Sequence, residues 1–444
     1  MRIHLLPLFL LLSAMPLHAQ VSSAPVMMAP TQVVSEALAY SPALKSAAEE
    51  VAAAEAVRGQ ARAAGLPSLD ADGRAAFYEG LQDFQLGPDM TMPAVDNRYA
   101  AGIGITQPLF TGGRISVRKR MTDDRRHGAE SDLLARRSDV IHRALIAYWS
   151  WSKAYYAAEP LQAAVRWMEA HEADIRNLYK AGLATENDAL STSVRLDETR
   201  LKLEQAQRHV HLTRAMLERL TGRELPDPAM PQPPEIPAAP GTGSAEAWIG
   251  CALTNRDDLQ ARRFDCSALQ KNIAIQRAGY YPQLSANARY EIGRPNQLDI
   301  PPMDEWNDDA CLAVFASWNL LDWGLTRARV AEARARASQA MHSAQELNDQ
   351  VVYEVRMAVI NLENALTRLR VTRRAVASAE LDLKAATDLW KNGMARHSDV
   401  LDAQSRLTEA GFEQISAAGD AALARTELDH AAGTLSAQWP IAAQ

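Results

Sequence analysis

LYKAGLATENDAL, from Leu178 to Leu190, and LWKNGMARHSDVL, from Leu389 to Leu401, follow one pattern. Each reads leucine, aromatic, lysine, any residue, glycine, five more residues, aspartate, any residue, leucine. Gly182 and Gly393 stand 211 residues apart. The pairs Asp188/Asp399, Gly222/Gly433 and, upstream, Gly113/Gly324 keep that offset. Further upstream, ALAYSPAL from Ala37 matches ALTNRDDL from Ala252, and Pro67 matches Pro282, at an offset of 215. Self-similarity over this distance is the mark of a chain built as two structural copies. The expected boundaries are 20–222 and 245–444, with 223–244 joining them. The joining segment holds PDPAMPQPPEIPAAPGTGS, which is too rich in proline to be helical.

Each copy carries a heptad stripe. In the first, Val140, Ala147, Ala154, Leu161, Met168 and Ile175 recur every seven residues, followed four later by Ala144, Trp151, Ala158, Val165, Glu172 and Tyr179. The second repeats it with Val351, Ala358, Ala365, Thr372, Ala379 and Ala386, followed by Val355, Leu362, Leu369, Val376, Leu383 and Trp390. Such stripes specify coiled-coil packing, and the frequent alanine lets backbones approach closely. A helix from Gly113 to about Lys180, or from Gly324 to Lys391, would span on the order of 100 Å. Pro160 is expected to kink the first of these. Gly182 and Gly393 end them as left-handed caps. Thr185 and Ser398 open return helices, from about Asn187 to Leu220 and from Ser398 to Ala432. The opening motif is therefore the tip of a long helical hairpin, present twice.

Between the helices the period changes to two. Leu69, Ala71, Ala75 and Phe77 alternate with Asp70, Asp72 and Arg74. Tyr99, Ala101, Ile103 and Ile105 alternate with Arg98, Ala100 and glycines. Leu284, Ala286, Ala288, Tyr290 and Ile292 alternate with Ser285, Asn287, Arg289 and Glu291. A fourth strand, with a weaker pattern, is expected from about Ala310 to Leu320. Strands of about ten residues with one apolar face can cross a bilayer at a tilt. EGLQDFQLGPDMTMPAVDN and GRPNQLDIPPMDEWNDDA read as long polar loops joining them. Four strands cannot close a barrel around water, and open edges in lipid leave backbone groups unpaired. If the strands span a membrane, several chains must share one barrel.

Composition excludes other classes. The 444 residues carry a net charge of −7, which gives no footprint for nucleic acid. MRIHLLPLFLLLSAMPLHAQ has one arginine, an apolar run from Leu5 to Leu12 and a small residue at Ala19, and reads as a secretory signal over 1–19. After it no apolar run is long enough for a transmembrane helix. Only Cys251, Cys266 and Cys311 are present. The first two are expected on one helix roughly 22 Å apart, too far to bridge. No catalytic constellation, phosphate loop or zinc motif is visible, so neither an enzyme nor a cofactor is expected. His127, His142, His171 and His342 read as isolated surface histidines, and His209 and His211 point to different helix faces.

The tandem halves, QPLFTGGR at the first strand-to-helix junction with its echo WNLLDWGL, and the glycine-to-aspartate tips together resemble the TolC-like outer-membrane efflux proteins over nearly all of the mature chain. The resemblance implies a mixed α and β membrane fold: a homotrimer with a twelve-stranded outer-membrane β-barrel and a helical α-barrel tunnel in the periplasm. It places Pro108, Gly112, Gly113 and Gly324 at the strand-to-helix junctions. It makes Gly182 and Gly393 the tip glycines, with Leu183, Thr185, Met394 and Arg396 flanking the surface that docks a periplasmic adaptor loaded by an inner-membrane transporter. Asp399 and Asp402 match lumen-facing aspartates of the closed entrance, and Asp188 is their counterpart in the first hairpin. Many relatives have arginine two residues after the second tip glycine, where this chain has Ala395, and tyrosine where it has Trp390. The implied activity is passive export of small molecules. A duct for type I protein secretion shares the architecture, and a non-channel periplasmic coiled-coil scaffold would account for the heptads alone.

Overall fold

In a computed structural model, the structure describes residues 26–87, 90–92, 94–234, 245–296, 298–300 and 303–439. The expected signal, and the 235–244 part of the joining segment, lie outside these residues. In chain order the elements are β1 (Val26–Met28), α1 (Pro30–Tyr40), α2 (Pro42–Ala63), β2 (Ser68–Phe77), β3 (Phe84–Gly87), β4 (Met90–Met92), β5 (Asn97–Phe110), α3 (Arg114–Lys180) and α4 (Glu186–Thr221). They continue with β6 (Ala229–Pro231), α5 (Ala245–Asn255), α6 (Asp257–Arg277), β7 (Gln283–Arg294), β8 (Asn307–Ser317), α7 (Leu325–Lys391), α8 (His397–Ala431) and α9 (Leu435–Gln438). Two short helices, a strand pair, a long helix and a return helix thus occur in that order twice.

Helices α3 and α7 are each 67 residues long, about 100 Å of rod. The chain before each strand pair forms two helices. Pro42 cannot continue α1 and opens α2, whose first turn is capped by the Ser41 hydroxyl accepting from Leu44 N at 3.4 Å. At the matching place Arg256 separates α5 from α6. Cys251 and Cys266 therefore lie on different helices, contrary to the expectation of one, and all three cysteines are free. The expected kink at Pro160 does not interrupt α3, which runs helical through it. Gly411 of α8 faces that ring, where a Cβ would stand 3.2 Å from Pro160, so the partner helix makes room for it.

Strands β2, β5, β7 and β8 form one antiparallel sheet in that order. The fourth strand starts and ends three residues before the sequence indicates. The first long loop is not structureless, since it holds the small β3–β4 hairpin. The helices line up in the same sense. Next to the sheet α2 packs on α3, α3 on α6 and α6 on α7; at the far end α4 packs on α3, α3 on α8 and α8 on α7. Helix α3 is thus interior to both rows, and all six of its stripe residues from Val140 to Ile175 are buried. In α7 burial along the stripe fades from Val351, Val355 and Leu362 to half-buried Val376 and Leu383.

The core sits around the middle of the long helices. Tyr148 and Trp151 of α3 are enclosed by Met28 of β1, Val33 and Val34 of α1, Leu217 of α4, Leu225 and Leu435. The Tyr148 hydroxyl donates to Met28 O at 2.8 Å and accepts from Gln232 N at 2.8 Å, which ties β1 and the joining segment to α3. Strand β1 pairs in parallel with β6, so the described part of the joining segment is extended. A second core gathers Val351, Val355 and Leu362 of α7 with Leu259 and Leu428.

Two helix-ending glycines separate strain from crowding. Gly182 has φ +76 with nothing within 4 Å of a Cβ, whereas at Gly222, φ +71, a Cβ would stand 2.2 Å from the Tyr40 ring. Gly182→Ala should cost about 1–2 kcal/mol, the left-handed penalty alone. Gly222→Ala should cost distinctly more, read as a larger drop in the thermal midpoint of the purified protein; equal drops would contradict the packing seen at Tyr40.

Candidate functional site

Three features of the chain stand out chemically: the exposed sheet, the exposed hairpin tips and a buried aromatic knot between the hairpins. The sheet has two chemically distinct faces. Register puts Leu69, Ile105, Ala288 and Leu312 in one row and Ala71, Ile103, Tyr290 and Ala310 in the next. Leu69 and Leu312 are 70% and 81% exposed, so this apolar face has no cover among the described residues. The opposite face carries Asp72, Arg289, Glu291 and Asn287. Arg289 of β7 lies across β5 to grip Asp72 of β2 with two hydrogen bonds of 2.8 Å, and its Nε donates to Glu291 at 2.9 Å. Glycine on β5 permits the crossing, because a Cβ at Gly102 would stand 2.8 Å from the guanidinium. Asn287 donates to Thr106 Oγ1 at 2.9 Å on the same face.

The strand-to-helix junctions use left-handed backbone. Pro108 sits in β5 opposite Ser285, beside a bulge. Gly112 and Gly113 have φ +61 and +81, and a Cβ at Gly112 would meet the Ala278 carbonyl at 2.8 Å. At the second junction Gly324 has φ +87, but the position matching Gly112 is Trp323, held at φ +53. A side chain in this conformation costs about 1–2 kcal/mol, and here it leaves an indole in the open.

At the first tip the chain folds back through a Schellman turn: Gly182 N bonds to Tyr179 O and Leu183 N to Leu178 O. Gly393 and Met394 do the same with Trp390 and Leu389. Leu183 and Met394 are 75% and 68% exposed at the two apices. Thr185 and Asp188 form a complete capping box: Asp188 N donates to Thr185 Oγ1 at 3.1 Å, and Asp188 Oδ2 accepts from Thr185 N at 3.0 Å. The Thr185 hydroxyl, which donates to Asp188 Oδ2 at 2.6 Å, and the Thr185 N–H hold the Asp188 carboxyl below the usual carboxylate range. In the second tip the N-cap is Arg396, not Ser398. Arg396 N donates to Asp399 Oδ2 at 2.9 Å, but the arginine side chain has no acceptor, and Asp399 N bonds instead to the Arg396 carbonyl at 3.1 Å. Asp188 and Asp399 are thus both engaged with their own helix starts. Asp402 is exposed and faces Arg195 of α4 at 3.9 Å. An open cleft of about 820 Å³ separates the tips, lined by Asn187, Asp188, Arg195, Arg396, His397 and Asp402.

The sequence reading of His171 as a surface residue is overturned. Ala164, Met168, His171 and Ile175 follow the 4–3–4 spacing of one helix face, and all are buried. The His171 ring stacks on Trp167 at 4.7 Å and on His397 at 4.9 Å, and Trp390 meets its edge at 5.5 Å. Thr192 Oγ1 donates to Asp188 O at 2.7 Å, so the 2.8 Å contact with His397 Nε2 makes that nitrogen the donor. His171 Nε2 and His397 Nδ1 are buried without a hydrogen-bond partner. His142 is not isolated either: it stacks on His430 at 4.2 Å. Trp390 packs on both histidines, at 5.5 Å from the His171 ring and 5.9 Å from that of His397.

The description "Outer membrane efflux protein" belongs to the family whose sequence model matches residues 33–223 and 248–434. The chain is 24% identical to outer membrane protein TolC of Vibrio cholerae serotype O1 over 78% of this chain and 79% of that one. It is 22% identical to the outer membrane efflux protein BepC of Brucella suis biovar 1, over 78% and 75%. Among solved structures it is similar to CusC, at 18% identity with a TM-score of 0.77 covering 91% of this chain and 92% of that one. It is similar also to VceC of Vibrio cholerae, at 22% and 0.77, covering 91% and 96%. At these identities the structural likeness is one of fold.

The unequal caps make a local test. Thr185→Ala should cost the first turn of α4 about 1 kcal/mol, seen as roughly five-fold faster amide exchange there. Arg396→Ser should slow exchange at the start of α8 by a similar factor. No change in either turn would contradict the capping assignment.

Proposed function

The chain belongs to the outer membrane efflux protein family, and from that premise we propose that three copies join into a channel through which small molecules leave passively across the outer membrane. The observation that carries this is the pair of unmet edges. The sheet ends at β2 and β8, and the far helix row ends at α4 and α7. Leu190, Val194, Leu201, Leu212 and Met216 are exposed along α4, and Tyr353, Ile360, Val371 and Leu381 along α7. A second copy setting its β2 beside β8 and its α4 beside α7 pairs the backbone and covers these side chains at once. Threefold repetition closes twelve strands into a barrel wide enough for a water-filled lumen.

In this assembly the apolar rows through Leu69 and Leu312 meet lipid, and the Asp72–Arg289–Glu291 face meets the lumen. The mature chain, beginning after the 1–19 signal, is two tandem repeats, 20–222 and 245–444, and the 223–244 segment lies in a belt around the middle of the tunnel. The rods lead into the periplasm and end at the tips. Leu183 and Met394, with Gly182, Thr185, Gly393 and Arg396, present the surface on which a periplasmic adaptor docks, and the adaptor connects the channel to an inner-membrane transporter. Transport energy comes from that transporter, and the channel itself is not an enzyme.

Asp402, and Asp399 beside it, each become a ring of three carboxylates at the entrance under threefold symmetry. Such rings attract cations and repel one another. Asp188, fixed in its capping box, shapes the helix start of the first hairpin.

Replacing Asp399 and Asp402 together with alanine should raise the conductance of the resting channel in planar bilayers and lower its preference for cations. Unchanged current and unchanged ion preference would contradict the entrance assignment.

A further inference from the structure

The imidazoles of His171 and His397 belong to different hairpins, α3 of the first and α8 of the second. Their stack lies where the two hairpins touch nearest the tips. Around it the hairpins meet through the Thr192–His397 hydrogen bond, the apolar cluster of Met168, Leu196 and Leu401, and the loose Arg195–Asp402 pair. We propose that the His171–His397 stack is a proton-sensitive latch: a proton taken up there parts the two hairpins near their tips. That the parted tips widen a conduction path rests on the channel reading above.

The geometry supplies both halves of the device. Each ring has a buried nitrogen with no partner, a basic site whose proton would find no acceptor. The rings lie nearly parallel at 18°, so a charge on one faces the other. On α3 the stack meets Trp167, and the charged group acting on it is Asp174. On α4 it meets Thr192 and Asp188, the latter committed to its cap, with Arg195 lining the cleft beyond. On α7 it meets Trp390. On α8 Arg396 and Asp402 share the cleft with His397, and Asp399 is tied to Arg396 N. Neither imidazole forms an ion pair among the described residues. An indole face recovers only part of the cost of burying a cation.

Burial, reinforced by His397, pushes His171 down from 6.5 to about 4, and burial lowers His397 as well, against a weaker pull from Asp188. A histidine lowered in the packed state favours packing fully above pH 6.5. That advantage falls as pH drops from 6.5 toward about 4, by up to tenfold per pH unit for each proton taken up on parting.

A second stack between the same two helices is built differently. His142 and His430 each have a carboxylate: His142 Nε2 lies 3.2 Å from Glu427, and His430 Nε2 lies 3.0 Å from Asp139. These rings thus have carboxylate partners, whereas the stack near the tips has none within ion-pair distance among the described residues.

The test is amide hydrogen exchange of the full-length, detergent-purified protein at pH 7.5, 6.0 and 4.5, with times scaled for the intrinsic rate. In wild type, peptides covering 164–175 and 396–405 should lose at least tenfold protection at pH 4.5, and those covering 138–147 should not. The H171F/H397F variant should keep its protection. H397Q, which retains a donor for Thr192, should show a reduced response and stands in if the double variant does not fold. Unchanged wild-type protection, or an equal loss in H171F/H397F or in H397Q, overturns the latch. Bilayer conductance with acid on the tip side is recorded in parallel and should rise in wild type alone. A conducting channel whose tips ignore pH sinks the latch and leaves the channel reading standing. A tip response in a protein that conducts at no pH sinks the channel reading and the gating that depends on it.

Discussion

An unpaired strand edge cannot face lipid. Each peptide group left without a partner in the hydrocarbon costs several kcal/mol, because no water is there to satisfy it. This chain carries only four strands in its main sheet among the described residues, with β2 and β8 both unpaired on one side. It belongs to a family of outer-membrane proteins, so those edges must be met by something outside the chain. The helical rows obey the same need: α4 and α7 show apolar side chains that no neighbour covers among the described residues. One operation, the addition of identical copies side by side, answers both.

Within the chain, α3 is the element on which the rest is hung. It touches α2 and α6 toward the sheet, α1 and α9 at the middle, and α4 and α8 toward the tips. Pro160 lies within this rod, with Gly411 of α8 opposite its ring. The α3–α8 contact is also where both histidine stacks, Lys153–Asp420 at 2.6 Å and the Pro160–Gly411 contact lie. It joins the two hairpins of one chain, so it is the seam along which they can move apart.

Much of the architecture is legible in residue periods. The heptads mark both rods, and the glycine offset marks the two helix-ending turns, because only the left-handed conformation needs glycine at those places. Alternation marks three strands plainly. It is weak in β8, where Ala310, Leu312 and Val314 alternate with Cys311, Ala313 and Phe315, so both faces look apolar and the ends blur. Caps were harder to read. Ser398 has the right chemistry for an N-cap, yet Arg396 holds the position because the Schellman turn fixes how far the chain travels before the next helix starts. The β3–β4 hairpin leaves no signal in the sequence, since the loop that holds it has no period. A histidine taken singly carries no burial signal, but the 4–3–4 spacing through Ala164, Met168, His171 and Ile175 shows His171 on the inner face. The stacking of the buried histidines depends on which helices meet, which no local pattern records.

Everything turns on whether copies of this chain meet edge to edge. The most direct measurement is single-particle imaging of the protein purified in detergent, with its mass determined alongside. The account predicts a threefold particle of three chains, a barrel at one end and a rod of about 100 Å leading away from it. A single water-soluble chain, or an assembly without threefold symmetry, would contradict it.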